Sequence, residues 1–229
     1  MVRTEGVDAG YGSAEIVHDM NIEIEAGEMV GVLGANGAGK STFMKTLVGT
    51  VDLFGGSIYY KGEEITDLEP HERARRGIGH VAQTEAVFQD LTVRENLRMA
   101  SFANPEGYER RVDEVYDLFP KLQELRDQKA QVLSGGERKM LAIGCGVIID
   151  PDLYLLDEPS DGLAPNLVSD IFEKVAQLQS SGKAMLVNEQ KEEILDHIDR
   201  AYLLENGTIV DEGPADELLA EGTIQHSYL

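Results

Sequence analysis

The sequence predicts an α/β fold with a mostly parallel core sheet, an antiparallel β region and an inserted helical lobe. Three observations predict it: short apolar strands alternate with helical segments, the middle of the chain shows helical periodicity, and a hairpin signal stands near the end. The 229 residues are 42% hydrophobic, which is enough to build a single domain. Within it we expect a core over residues 1–85, a helical lobe over 86–150 and a return to the core over 151–229.

The first stretch reads as a strand, a turn and a helix. An apolar strand is predicted at Met29–Leu33, followed by a glycine-rich turn and by a helix that starts at Ser41 and ends near Gly49. A further strand is predicted at Ile78–Val81.

The helical lobe has two helix-start signals. Thr92 and Glu95 have the spacing of a capping box, and so do Ser134 and Glu137. Between them, apolar residues recur at helical intervals over residues 112–119.

The last stretch returns to alternating elements. We expect a buried strand at Leu153–Leu156, a helix near Leu167–Gln179 and a strand at Ala184–Val187. Asn206-Gly207 then separates two apolar runs, which is typical of a β-hairpin.

The charge of the chain is strongly one-sided. The sequence has 42 Asp and Glu against 20 Lys and Arg, a formal charge of −22. A surface this negative repels nucleic acid and anionic lipid, so we expect no nucleic-acid partner and attachment to a membrane only through a protein. Dense carboxylates also fit a salt-adapted protein, because salt screens their mutual repulsion. We therefore expect a halophilic source.

No segment of the sequence reads as a membrane span or a secretory signal. The longest apolar run, Met140–Ile149, has ten residues, against about 18 needed to cross a bilayer. Arg3, Glu5 and Asp8 interrupt the apolar region that a secretory signal requires. A single cysteine excludes an internal disulfide. We expect the chain in the cytoplasm.

A phosphate-binding motif fills the turn between the first strand and helix. Residues 34–41 fit G-x-x-x-x-G-K-[ST] in the context that this motif requires. Backbone N–H groups would wrap the phosphates, Lys40 would reach the β- and γ-phosphates, and the Ser41 hydroxyl would bind Mg²⁺. The residues predicted to hold the nucleotide here are Gly34, Ala35, Asn36, Gly37, Ala38, Gly39, Lys40, Ser41 and Thr42.

Two carboxylates end the buried strand that starts at Leu153. Asp157 is placed to support Mg²⁺, and Glu158 to polarise water. With the phosphate motif alone, these residues suit a kinase or a GTPase equally. The deciding segment is therefore Leu133–Glu137, which has the pattern of a second anion-binding helix N-terminus with small residues at its tip. By itself this segment would be an ordinary capped helix start.

Taken in order, these motifs resemble the Walker A, Q-loop, signature and Walker B segments of ABC (ATP-binding cassette) ATPases. Gln83 stands at the Q-loop position of this set. The resemblance covers nearly the whole chain and implies a P-loop NTPase fold of the ABC type, with ATP and Mg²⁺ as ligands. It implies that Tyr11 stacks on adenine, that Gln83 touches Mg²⁺ and the attacking water, and that residues 160–163 form the D-loop.

The resemblance also implies a head-to-tail dimer. In such a dimer Ser134, Gly135 and Gly136 act on the γ-phosphate of ATP bound to a sister ATPase, and Glu158 is the general base. Separation of the dimer passes movement to membrane subunits.

Three segments resemble the LivF-type ATPases of branched-chain amino acid importers. They are Met140–Gly144, Glu158–Pro165 and Leu204–Gly207. This implies a sister ATPase, two permeases, an extracytoplasmic solute-binding protein and a position at the cytoplasmic face of the membrane. Related systems for urea or amides are similar in sequence. A soluble ABC ATPase, such as one of iron–sulfur cluster assembly, is the alternative.

Two positions depart from the family pattern. Asp161 adds a charge to the D-loop, and the position where the family has a switch histidine reads Asn188-Glu189-Gln190. Glu189 or Gln190 takes that place. A glutamate there would face a phosphate and Glu158 at a cost of about 1 to 4 kcal/mol at ~4 Å, so we expect Glu189 to point away. The missing histidine leaves a third reading open, a weakly active ATP-gated regulatory subunit.

Overall fold

The computed structural model describes residues 1–83, 86–163 and 165–221. The strands in this part of the chain are β1 (Val2–Tyr11), β2 (Ala14–Met20), β3 (Glu23–Ile24), β4 (Met29–Leu33), β5 (Asp52–Tyr60), β6 (Glu63–Glu64), β7 (Ile78–Val81), β8 (Leu153–Asp157), β9 (Ala184–Glu189), β10 (Arg200–Glu205) and β11 (Thr208–Pro214). The α-helices are α1 (Lys40–Val48), α2 (Pro70–Arg75), α3 (Val93–Ala100), α4 (Tyr108–Leu118), α5 (Pro120–Glu124), α6 (Gly135–Ile149), α7 (Pro165–Gln179) and α8 (Ala215–Glu221).

The central sheet confirms the predicted parallel core. Its strand order is β11-β10-β4-β9-β8-β7, and every neighbouring pair is parallel except β10 with β11. Strands β4, β8 and β9 are buried along their whole length, as expected where both faces of a parallel sheet are covered. The carboxyl ends of β4, β8 and β9 therefore meet at one edge, where Leu33 pairs with Glu189 and Asp157 pairs with Asn188.

An antiparallel sheet packs on the other side of α1. Its order is β2-β1-β5-β6, with β3 paired to β1. One hydrophobic cluster joins this sheet to α1 and the central sheet, and a second joins the central sheet to the helical lobe. The hairpin signal accounts for β10 and β11 alone. The antiparallel sheet at the start of the chain was not located from the sequence, because β1 is interrupted by Gly6 and by β-bulges.

The predicted elements occur with small shifts at their ends. Helix α1 starts one residue early, at Lys40. Strand β9 runs on to Glu189 because its polar end pairs with β4 and β8, so pairing rather than apolar character sets its length. Helix α7 starts at Pro165, since proline is favoured in the first turn.

Helices α3 to α6 build the lobe that the sequence predicts. Both capping boxes are present: Thr92 with Glu95 starts α3, and Ser134 with Glu137 starts α6. Helices α3, α4 and α5 pack on α6, which runs from the lobe to the edge of the central sheet. In residues 1–83, 86–163 and 165–221, no helix combines the length and the apolar character that a bilayer crossing requires.

Candidate nucleotide site

The phosphate loop lies between β4 and α1, at the carboxyl edge of the central sheet. Two of its glycines have no room for a side chain. A Cβ at Gly34 would lie 2.2 Å from the carbonyl oxygen of Leu204, and one at Gly39 would lie 2.8 Å from Val17 Cγ1. Gly39 also has φ 105°, which disfavours other residues. Because the first N–H groups of a helix have no intrahelical partner, those at the start of α1 can bind an anion that approaches this glycine-rich loop.

Lys40 is buried beneath this loop. Its ammonium donates to the carbonyl oxygens of Gly34 (2.8 Å) and Ala35 (3.0 Å), and it lies 4.0 Å from Glu158 Oε1. Burial lowers the pKa of Lys40, while the neighbouring carboxylates, Glu158 first, oppose that shift.

A cavity of about 200 Å³ opens above the loop. It brings predicted phosphate-binding residues together with three residues from elsewhere in the sequence, Ile16, Gln83 and Glu158. The lining residues are Ile16, Asn36, Gly37, Gly39, Lys40, Ser41, Thr42, Gln83 and Glu158. A larger cavity of about 680 Å³ lies elsewhere, between α2, β7 and the segment that follows α3.

Two of the three residues predicted to hold Mg²⁺, Ser41 and Asp157, are adjacent, whereas the Gln83 amide donates to Glu158. Ser41 Oγ lies 3.0 Å from Asp157 Oδ1, and the Asn188 amide donates to both oxygens. Within the described residues, the amide oxygen of Asn188 is buried without a hydrogen-bond partner. Hydroxyl and carboxylate oxygens are the ligands that Mg²⁺ prefers, so this set fits the ion.

Glu158 follows β8 in a conformation that is rare for a glutamate. Its φ is +46°, in the left-handed region, where a non-glycine residue is strained. Its carboxylate accepts hydrogen bonds from the amides of Gln83 and Gln190, at 2.5 Å and 2.6 Å. The Gln190 amide also donates to Asn36 of the phosphate loop (2.8 Å). The Glu158 carboxylate is therefore fixed beside the phosphate loop from two sides.

The side chains of Glu189 and Gln190 point to different loops. Glu189 is buried, and its Oε1 accepts the backbone N–H of Ser160 at 2.8 Å. Burial raises the pKa of Glu189, and the hydrogen bonds from the backbone N–H groups of Ser160 and Gln190 partly offset this shift. Gln190 contacts Glu158. The expectation that Glu189 points away from the Glu158 carboxylate agrees with this geometry.

Some predicted residues do not line the cavity. Tyr11 is 46% exposed at the end of β1, and its hydroxyl lies 3.4 Å from Lys45 Nζ. Ser134 and Gly135 are exposed and Gly136 is buried at the start of α6, away from this chain's own phosphate loop. The roles expected for these residues stay predictions.

Asn188 was not assigned a role from the sequence. It lies between Ser41 and Asp157 and donates to both. The available signal was a polar residue at the end of an apolar strand, Ala184–Val187, which would meet Asp157 at the carboxyl edge of a parallel sheet.

Comparison with known proteins identifies similar chains along the full length. The ABC transporter family matches residues 17–161. A high-affinity branched-chain amino acid transport ATP-binding protein, BraG of Pseudomonas aeruginosa, is 42% identical and covers 100% of this chain and 99% of its own. A probable branched-chain amino acid transport ATP-binding protein, LivF of Archaeoglobus fulgidus, is 37% identical, and the match covers 96% of this chain and 94% of LivF. A lipopolysaccharide export system ATP-binding protein, LptB of Haemophilus influenzae, is 34% identical, and the match covers 100% of this chain and 97% of LptB.

The fold comparison agrees with the sequence comparison. The ADP conformation of MJ1267, an ATP-binding cassette of an ABC transporter, has a TM-score of 0.86 and 29% identity, and it covers 99% of this chain and 95% of that one. The predicted P-loop fold of the ABC type is thus confirmed. By its family match, its full-length relatives and a phosphate loop that faces two strand-end carboxylates, this chain belongs to the ABC transporter family as an ATP-binding subunit, an ATPase.

Proposed function

We propose that this ATPase powers a membrane importer of branched-chain or related amino acids. The observation that carries the proposal is the 42% identity to BraG over the full length of both chains. The same assignment is supported by two segments that resemble LivF-type ATPases, Met140–Gly144 and Leu204–Gly207.

ATP would bind over α1, with its phosphates in the cavity above the loop. Lys40 would turn from the carbonyl oxygens of Gly34 and Ala35 toward the phosphate oxygens, since a phosphate is the stronger partner for an ammonium. Tyr11 would stack on the adenine.

Mg²⁺ would be held by Ser41, Asp157 and Gln83. When bound, the ion neutralises charge on the phosphates and aligns them for attack. Glu158 would accept the proton of the attacking water, while Gln83 and Gln190 hold its carboxylate in place.

A second copy of the fold would complete the reaction. We propose that Ser134, Gly135 and Gly136 cover ATP bound by a sister ATPase, which agrees with their position outside this chain's own cavity. Two permeases and an extracytoplasmic solute-binding protein would complete the importer at the cytoplasmic face of the membrane.

The permeases would dock on the larger cavity. This groove of about 680 Å³ is lined by α2, β7 and residues 102–104 and 149–152. Phe102 at its rim is 75% exposed, and an exposed aromatic beside a groove is a common anchor for a protein partner.

Lipopolysaccharide export is the second candidate, because LptB also matches over its full length, at 34% identity. The two candidates differ in partner and cargo and not in the ATPase chemistry. The ATP-gated regulatory reading has less support, since the Gln190 amide still contacts Glu158.

The test replaces the cellular copy with Lys40→Ala. If the chain serves amino acid import, uptake of labelled leucine, isoleucine and valine should be lost while growth on rich medium continues. Wild-type protein purified from detergent extracts should bring permeases with it. Normal uptake of all three amino acids, or co-purification with components of lipid export, would overturn the proposal.

A further inference from the structure

A lysine of the signature helix contacts the loop that carries Glu158. Lys139 is the fifth residue of α6, and its ammonium donates to the carbonyl oxygen of Glu158 at 2.8 Å and to that of Gln83 at 3.4 Å. The lysine thus reaches from the helical lobe to the backbone of two site residues.

These contacts close a ring. The Gln83 side chain donates to the Glu158 carboxylate, and the backbones of both residues accept from Lys139. The Gln83 amide also lies 3.3 Å from Asp161 Oδ2. The ring therefore links the first turns of α6 to the loop that follows β8.

The backbone of Glu158 needs such support. A left-handed φ is strained in a non-glycine residue, and it persists where neighbouring groups fix it. Here the Glu158 N–H donates to Asn188 (2.9 Å), and the Glu158 carbonyl oxygen accepts from Asp161 N–H (3.2 Å) and from Lys139. Of these three hydrogen bonds, the one from Lys139 comes from the helical lobe.

The charge of Lys139 also fits its surroundings. Its ammonium is partly buried, and burial lowers its pKa, while Asp161, Glu189, Glu158 and Asp157 oppose that shift. A neutral side chain would leave these carboxylates with less compensation.

Building on the role proposed above for Glu158, we propose that Lys139 is a positioning residue for ATP hydrolysis that couples the signature helix to the orientation of Glu158. The residue does not line the nucleotide cavity. Its loss should therefore lower turnover and leave nucleotide binding intact.

The test is a series of three variants of the full-length chain, each assayed in its assembled ATPase dimer. Lys139→Arg keeps charge and donors, Lys139→Gln keeps one donor group, and Lys139→Met keeps neither. We expect kcat to fall in that order, with a loss of about tenfold or more for Lys139→Met, since a small displacement of a catalytic group costs up to ~10²-fold. The Kd for a fluorescent ATP analogue should change less than about twofold.

A matched control removes an equal charge elsewhere in the lobe. Lys121 is exposed on α5 and pairs with Glu124 at 2.7 Å, so Lys121→Gln should leave kcat unchanged. Amide exchange gives a readout that does not depend on turnover: Lys139→Met should speed exchange in residues 158–161, where Asp161 N–H bonds the Glu158 carbonyl oxygen, and leave β8 protected.

Three results would overturn the proposal. They are an unchanged kcat in Lys139→Met, a rise of Kd in parallel with the fall of kcat, and equal exchange in residues 158–161 of variant and wild type. If Lys139→Met does not fold, the ratio of kcat between Lys139→Arg and Lys139→Gln decides, and equal values contradict the coupling.

Discussion

At the scale of single residues, Lys40 and Glu158 face each other at 4.0 Å but have separable roles. Lys40→Ala should abolish ATP binding, because the buried ammonium is the side-chain cation in the cavity lining. Glu158→Gln should bind ATP normally and lose hydrolysis by about 10²- to 10⁴-fold, since only proton acceptance is removed. Equilibrium binding and steady-state turnover measure the two effects. Equal losses of affinity in both variants would contradict these roles.

Glu189 gives a pH-dependent prediction. Burial raises its pKa above the ordinary 4.5, so the folded chain holds this proton more tightly than the unfolded chain. Its contribution to the free energy of unfolding therefore falls as pH rises from about 4.5 through the raised pKa. Glu189→Gln should remove this fall and keep an acceptor for the Ser160 N–H.

The measurement is the melting temperature of both proteins between pH 4.5 and 8. The melting temperature of Glu189→Gln minus that of wild type should increase with pH, whatever constant offset the variant carries. A difference that stays flat over this range would mean that Glu189 titrates as in the unfolded chain.

At the scale of elements, α6 carries both a helix cap and the signature segment. Ser134 accepts the N–H of Glu137, and Glu137 bonds back to the Ser134 N–H. Ser134→Arg should cost about 0.5–2 kcal/mol of stability through the lost cap. It should leave ATP affinity of the monomer nearly unchanged, because Ser134 lies outside this chain's own cavity.

Ser134→Ala is the control for that experiment, since it loses the cap without adding bulk or charge. Both variants should melt lower than wild type and bind ATP equally well as monomers. A large rise of the Kd for ATP in Ser134→Arg alone would mean that the signature contacts this chain's own nucleotide, which would contradict the head-to-tail assignment.

At the scale of the whole molecule, the charge of −22 makes stability depend on salt. If the acidic surface is an adaptation to salt, the melting temperature should rise as KCl increases from about 0.1 M to the molar range, because the Debye length falls from ~10 Å to ~3 Å. Differential scanning fluorimetry over that series measures it. A flat response would return the chain to the class of merely acidic proteins.

Assembly with a sister ATPase gives the last prediction, which rests on the proposed pairing. This chain's own site has Gln190 beside Glu158, and in the proposed pairing the signature of this chain would serve the opposite site. Glu158→Gln here should then reduce ATP turnover less than the same change in the sister chain, and Ser134→Arg here should be the more damaging change. Equal losses from the two glutamate variants would mean that Gln190 substitutes fully and that the sites are equivalent.

The sequence by itself determined the phosphate loop, both capping boxes and the strand that ends in Asp157 and Glu158. These features are local: each depends on residue types at fixed spacing within a few turns or one strand. The parallel core also followed, because strands that alternate with helices form a mostly parallel sheet.

Only the tertiary structure decided which side chains meet at the carboxyl edge of the sheet. Periodicity does not give strand order, so it could not place Asn188 against Ser41 and Asp157. A charge argument predicted that Glu189 points away, but only the packing shows that Glu189 accepts from Ser160 while Gln190 donates to Glu158. The contact between Lys139 and Glu158 joins residues 19 apart on different parts of the fold. Such pairings depend on packing between elements, which the sequence encodes only through the whole core.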